Sequence, residues 1–188
     1  MFSFLKPKVS GAQIAGDFFF RPLRNAHADG FPKFCDLFPA EPQIPKERVI
    51  DEWLWLEVFA VDFSTYLALG QTPSKAAVLT PFWTSVKQWL QEERVPPLPE
   101  RFAVAGGGPR TISAEGSERA HDRLMRRMKE YSSAVVAPHP QGENYSVAAV
   151  FASACGDYSA VTTAGVGAFF SSRKIEYVKF LRSMRITT

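Results

Sequence analysis

Residues 45–70 read PKERVIDEWLWLEVFAVDFSTYLALG. Val49, Trp53, Leu56, Ala60, Phe63 and Leu67 recur at spacings of three and four, which places them on one face of a helix. Trp55 and Phe59 fall on a second side, and Leu54, Val58 and Val61 on a third. A helix that is apolar around its circumference belongs at the centre of a helical fold. Pro45 suits the first helical position, Glu47 the first turn, and Gly70 the residue just past the end. Glu57 and Asp62 stand inside this apolar run. A carboxylate in such surroundings must find a partner or keep its proton.

The rest of the chain organises around that helix. Ser10-Gly11-Ala12-Gln13 has the form of a capping box and opens a helix over about 11–28, with Ile14, Phe18 and Leu23 inward. Pro22 is expected to kink or end it. Prolines 32, 39, 42 and 45 make 31–45 a stiff connector rather than a PxxP ligand, since no flanking arginine marks a ligand orientation. Thr72-Pro73 and Thr80-Pro81 each resemble a cap followed by a first-position proline. They predict a short helix, a break near Pro81, and a second helix to about residue 94 with Phe82, Val86, Trp89 and Leu90 inward. Residues 95–112 are a Pro/Gly linker. Ser113 or Ser117 caps a helix to about 136 with Ala120, Leu124, Met128, Tyr131 and Val135 as its inner stripe. Three further helices are expected over 145–156, 158–171 and 173–186.

Residues 147–170 carry one charge, Asp157, in a run dominated by Ala, Gly, Ser and Thr. The length suits a membrane span of roughly 20 residues, but the composition and the central aspartate do not. Ala148, Ala152, Gly156, Ala160, Ala164 and Ala168 recur every four residues. On a helix that spacing is a ridge without bulk, and it admits close approach of another helix. An i+4 series drifts about 40° per step, so one straight partner cannot follow six positions. The reading is two helices meeting near Gly156-Asp157. The predicted fold is therefore all-α: a single-domain irregular bundle of five to seven helices. Its segments are a Phe/Pro-rich N-terminal helix and arm (1–45), central aromatic helices (46–94), the linker, and C-terminal helices (113–188). Eight of the 16 Phe lie in residues 1–38, so that region covers the core or binds something apolar.

The chain has 188 residues and a net charge of +3, too small to imply a polyanionic partner from bulk charge alone. Two regions depart from that balance. Residues 46–70 hold two basic and five acidic side chains, and 171–188 hold five basic and one acidic. The basic tail is read as a solvated face plus cations near a helix end. Two distant cysteines, Cys35 and Cys155, form neither a metal frame nor a disulfide framework. The start of the chain lacks the apolar core of a signal peptide, which gives an expectation of a cytoplasmic protein with reduced thiols.

Motif chemistry is sparse. Among three histidines, only His121 lies in an E-x-x-H fragment, with Glu118. A di-iron bundle needs two such fragments and two more glutamates, so no metal and no cofactor are expected. Gly106–Arg110–Thr111 resembles an anion loop, but lacks the Lys-Ser/Thr of a P-loop. Arg119, Arg123, Arg126, Arg127 and Lys129 make a basic helix, and interleaved acids assign it to an ordinary charged surface.

The functional expectation is a non-catalytic cytoplasmic interaction or regulatory module, self-associating or protein-binding through Ala152, Gly156, Ala160, Ala164 and Ala168. One alternative is a small-ligand pocket or enzyme site lined by Trp53, Glu57, Asp62 and Trp83, with a desolvated carboxylate as acid or base. Another is a peripheral membrane protein using the Phe-rich N-terminus and the basic C-terminus together, or a nucleic-acid-binding protein using the basic C-terminal helices, with Arg110, Thr111, Arg182 and Arg185 as anion contacts.

Overall fold

The computed structural model describes residues 6–25, 34, 46–91, 120–156 and 159–188, with side chains placed except in 20–25, 46–48 and 91. Six helices and one pair of short strands make up the described residues. In chain order they are β1 (Lys8–Ser10), α1 (Gly11–Asn25), α2 (Lys46–Leu69), α3 (Pro73–Gln91), α4 (Ala120–Val136), α5 (Glu143–Cys155), α6 (Ala160–Ser183) and β2 (Arg185–Thr187). The all-α expectation is correct. The proline arm apart from Phe34, the 95–112 linker, Ser113 and Ser117 lie outside the described residues, as does the side chain of Leu23.

Helix α2 is the axis. Every residue from Val49 to Val61 is buried, as its apolar circumference requires. Its closest neighbours are α6, α5, α4 and α3. Phe59 packs on Tyr131 of α4 and on Phe170 of α6, with ring centroids 5.1 and 5.8 Å apart. Trp55 meets Trp89 of α3 at 6.2 Å. Phe34 is buried against Trp53, Phe151 and Phe169. Gly70 ends α2 at φ +58° and donates its N–H to the Tyr66 carbonyl, the left-handed stop that glycine allows. Among its described side chains, only those of the last two turns leave the core, where Tyr66 and Leu67 are exposed.

The capping box is formed. Ser10 Oγ accepts from the Gln13 N–H at 3.2 Å, and Gln13 Oε1 accepts from the Ser10 N–H at 3.1 Å. Helix α1 continues through Pro22 to Asn25. Ile14 and Phe18 are fully buried, and Phe18 lies 5.0 Å from the Tyr177 ring.

The break expected at Pro81 is absent, and α3 is one helix from Pro73 to Gln91. Proline lacks the N–H that the Ala77 carbonyl, four residues back, would otherwise accept from. That carbonyl faces Gly11: a Cβ built on Gly11 would lie 2.3 Å from it. The start of α1 is thus packed backbone to backbone on the turn that Pro81 weakens. Tertiary contact keeps the helix whole where local signals end it. Thr80 is therefore mid-helix, and its carbonyl accepts from Thr84 Oγ1 at 2.9 Å.

The small-residue stretch is two helices, as its spacing requires. Helix α5 stops at Gly156, whose φ of +75° lets its N–H turn back to α5 carbonyls. Ser159 then caps α6 by accepting from the Thr162 N–H at 3.1 Å. The separate helices expected at 158–171 and 173–186 are one, α6. Ser171-Ser172 is a weak spot but no breaker, and Phe170 and Tyr177, both buried on the inner side, carry the helix across it. Helices α5 and α6 pack closely at Gly167, where a Cβ would stand 3.4 Å from the Asn144 carbonyl.

The last residues are also not helical. β2 pairs in parallel with β1, in the register Lys8–Arg185, Val9–Ile186 and Ser10–Thr187. The two ends of the described chain are thereby joined. No helix among the described residues is long and apolar enough to cross a membrane.

Candidate functional site

Three carboxylates on α2, Asp51, Glu52 and Glu57, are buried. Each meets an arginine from a neighbouring helix. Arg123 of α4 reaches Asp51 at 3.5 Å. One turn on, Arg127 forks onto Glu52: Nε donates to Oε2 at 2.6 Å and Nη2 to Oε1 at 2.9 Å. Arg127 also bonds Glu130 on its own helix. Planar two-point contact is the strongest geometry an arginine and a carboxylate can adopt. The acids around Arg127 raise its pKa above the ordinary arginine value despite burial.

The basic face of α4 is thus not the ordinary charged surface that its interleaved acids suggest. Arg123 and Arg127 are buried; Arg126 is exposed and reaches Glu130 at 3.9 Å. The signal was present in the spacing. Arg123, Arg127 and Tyr131 follow one another at i+4, so both arginines share the ridge of an inner aromatic.

Glu57 is held from α6. Arg173 Nε donates to Oε1 at 3.0 Å, and the Tyr177 hydroxyl donates to Oε2 at 3.0 Å. Arg173 also contacts Glu176 and lies over the Phe169 ring, 5.3 Å from its centroid. Burial pushes the Glu57 carboxyl above its ordinary range, and Arg173 and Tyr177 oppose that shift. Burial and the facing Glu57 push the Tyr177 hydroxyl well above its own. Neither Arg173 nor Tyr177 is recognisable from sequence as a partner of Glu57, because 116 and 120 residues separate them from it.

Asp62 is partly buried and accepts from Trp83 Nε1 at 2.8 Å. Burial raises its carboxyl, with Trp83 and Lys75 opposing. Of the four residues read as a pocket, the structure joins Asp62 to Trp83 and stacks Trp53 one turn before Glu57. Five residues separate Glu57 from Asp62, a rotation of about 140° on a helix. Glu57 accordingly faces α6 and Asp62 faces α3. A small apolar recess lies between α1, α2 and α3, lined by Phe18, Leu54, Val58, Phe82, Val86 and Trp89. It holds none of the four.

The ridge residues divide. Ala148 and Ala152 are buried, whereas Gly156, Ala160, Ala164 and Ala168 are exposed. On α6, Val161, Ala164, Ala168, Ser172, Ile175 and Lys179 form one straight exposed stripe, with Val161 78% and Ile175 47% exposed. The opposite side of α6 carries Phe170, Tyr177 and Leu181 into the core.

Of the anion contacts, Arg110 and Thr111 lie outside the described residues. Arg182 and Arg185 are exposed at the end of α6 and in β2. Lys6 and Lys8, which the sequence reading did not connect with them, stand alongside: Lys6 Nζ donates to the Arg182 carbonyl at 2.6 Å, and Lys8 is the register partner of Arg185. His121 is exposed and pairs with Asp122 at 3.3 Å, and Glu118 lies outside the described residues. Among the described residues no three His, Cys, Asp or Glu side chains are grouped as metal ligands.

Comparison of the chain with protein-family models, with curated proteins and with solved structures finds no match in any of the three.

Proposed function

We infer that this chain acts by association rather than by catalysis, as a cytoplasmic helical module that pairs with a second copy of itself through the exposed stripe of α6. The observation that carries this reading is the stripe itself. It is uncharged from Val161 to Ile175, and its first half is flattened by Ala164 and Ala168. Small residues at i and i+4 let two helices cross with their backbones close, at about −50° when both offer the same ridge. A crossing centred on Ala164 and Ala168 is self-complementary, as a two-fold interface must be. It also lets the basic ends of the two helices, at Lys179 and Arg182, diverge. The clamp of Arg173 and Tyr177 on Glu57 holds the other side of α6 to the core, so the stripe is offered on a rigid element.

The test is mass in solution, by sedimentation or light scattering across a concentration series. The wild type is expected to dimerise, and Ala164→Arg to be a folded monomer whose melting temperature matches that of the wild type at dilutions where the wild type is also monomeric. Equal masses for the two proteins would end this reading.

A second reading keeps Glu57 and Asp62 as desolvated acids of a ligand or enzyme site. It is supported by the upward shift of both carboxyls. Carboxyl NMR titration tests it: both groups must titrate above the ordinary range, and an added ligand must move one of them.

A further inference from the structure

An exposed aromatic ring and five cations stand at the same end of the bundle. Among the described Phe, Tyr and Trp side chains only Tyr66, near the end of α2, is exposed, at 48%. Lys75 of α3 donates to Gln71 Oε1, and its Nζ lies over the Tyr66 ring, 5.7 Å from the centroid. From the ring a chain of contacts runs on to the strands. The carbonyl of Leu67, next to Tyr66, accepts from Arg182 Nη2 at 3.4 Å, and the Arg182 carbonyl accepts from Lys6 Nζ at 2.6 Å. Two residues on, Lys8 of β1 is the register partner of Arg185 in β2. Lys6, Lys8, Arg182 and Arg185 are exposed.

Among the described residues none of the five cations is paired with a carboxylate. The neighbouring acids are engaged elsewhere. Asp62, one turn before Tyr66, is half-buried and accepts from Trp83, and Glu176, earlier on α6, pairs with Arg173. The helix dipole favours a cation at Arg182 but not at Lys8 and Arg185, which lie on strands. Like charges directly opposite one another on paired strands are destabilising. A local cost of this kind marks a surface whose charge acts on something outside the chain. The inward residues of the same strands, Val9 and Ile186, pack against the core, so the charges are directed away from it.

The ring and the cations together indicate the partner. Cations without counter-charges call for an anion, and the exposed ring beside them calls for a flat apolar face carried with that anion. A nucleotide supplies both: its base stacks on an aromatic side chain and its phosphate meets an ammonium or guanidinium. A duplex keeps its base faces in its own stack, whereas a single strand offers them. A membrane surface needs an apolar group to insert besides the cations, and this ring lies under an ammonium. We propose that this end of the bundle binds single-stranded nucleic acid, with a base stacked on Tyr66 and phosphates held by Lys75, Arg182, Lys6 and the Lys8–Arg185 pair. The surface lies apart from the α6 stripe, and binding here does not require the chain to self-associate.

The full chain would be titrated into a labelled oligothymidylate of about 16 nucleotides, at salt from about 50 to 200 mM. Binding is expected to weaken with salt, with a slope of log affinity on log salt no steeper than about −3.5 for five phosphate contacts at about 0.7 each. Lys8→Gln and Arg185→Gln each remove one member of the like pair. Each is expected to make the slope shallower by about 0.7, at an unchanged or higher melting temperature. Tyr66→Ala removes an exposed ring and should bind about tenfold more weakly by the same factor at every salt, because stacking carries no counterion term, and Tyr66→Phe should bind as the wild type does. Four results would each overturn the proposal: no binding to the oligonucleotide at the lowest salt, Tyr66→Ala binding as tightly as the wild type, a slope unchanged in both glutamine variants, or tighter binding to a duplex of the same length or to phosphatidylserine vesicles than to the single strand.

Discussion

Glu52 and Glu57 lie five residues apart on α2. Both are withdrawn from water, and both are held by an arginine from another helix. The means differ. Glu52 meets the two-pronged fork of Arg127, whose side chain is 10% exposed and which Glu130 also engages. Glu57 shares its two oxygens between a charged donor, Arg173, with 17% of its side chain exposed, and a neutral one, Tyr177. The first is a pair of full charges in matched geometry. The second is a deeper carboxyl with a wetter counter-charge, and its proton is correspondingly held more tightly than in water. One clamp is a two-point ion pair between α2 and α4, and the other joins α2 to α6 through a carboxyl whose proton burial helps to hold. A glutamate in an apolar stretch announces that it needs a partner, but only the fold supplies a forked arginine for one and an arginine with a hydroxyl for the other.

The contrast can be broken from the Arg127 side with the largest effect. Arg127→Met leaves the Glu52 charge buried without its counter-ion, and should cost about 3–5 kcal/mol in denaturant unfolding. Adding Glu52→Leu should recover most of that loss, because a buried pair replaced by apolar side chains is often neutral or stabilising. If the double variant is as unstable as the single one, the fork is not what joins α2 to α4. Next in size, Tyr177→Phe removes one donor to Glu57 and should cost about 2 kcal/mol. Because that donor favours the charged carboxylate, its loss should also move the Glu57 titration further up, readable by carboxyl NMR.

The smallest change in stability comes from Glu57→Gln, on the order of 1 kcal/mol near neutral pH. Its diagnostic is pH dependence. The folded protein binds the Glu57 proton more tightly than the unfolded chain, whose carboxyl titrates near the ordinary value of 4.5. The resulting contribution is complete below that value and is lost as pH rises through the folded one. Wild-type stability should therefore fall over that interval relative to Glu57→Gln, and the difference should be flat above it. Parallel pH profiles for the two proteins would mean that Glu57 does not hold its proton more tightly in the folded state.

What sequence reasoning recovered has a common physical character. The capping box at Ser10 and Gln13, the stop at Gly70 and the turn at Gly156 are local: each needs a residue type in a short window to satisfy a helix end. The all-round apolar pattern of α2 is equally direct, since only a central helix can bury it. The failures are cases where a distant segment overruled a local signal. Pro81 ends a helix in isolation, but with Gly11 packed on the Ala77 carbonyl it does not. Ser171-Ser172 reads as a boundary until Phe170 and Tyr177 are seen to share one core. Arg123 and Arg127 read as surface charges until Asp51 and Glu52 are brought to them from more than seventy residues away.

The same division runs through the candidate sites. Glu57 and Asp62 stood out in sequence because a charge inside an apolar run is conspicuous by itself; Glu57 is buried and Asp62 is half-buried. The ridge from Ala148 to Ala168 was legible as a spacing, yet not which half of it the core would cover. Arg182 and Arg185 were legible as a basic tail, but Lys6 and Lys8 had no claim on them before a parallel strand pair set the two ends of the described chain side by side. Sequence alone determined the helix ends that a cap or a glycine fixes, the apolar circumference of α2 and the need of Glu57 for a partner, because those follow from neighbours within a turn or two. The identity of each answering group, the exposed face of α6 and the joined cationic ends came only from the tertiary structure, because each depends on residues that touch in space and not along the chain.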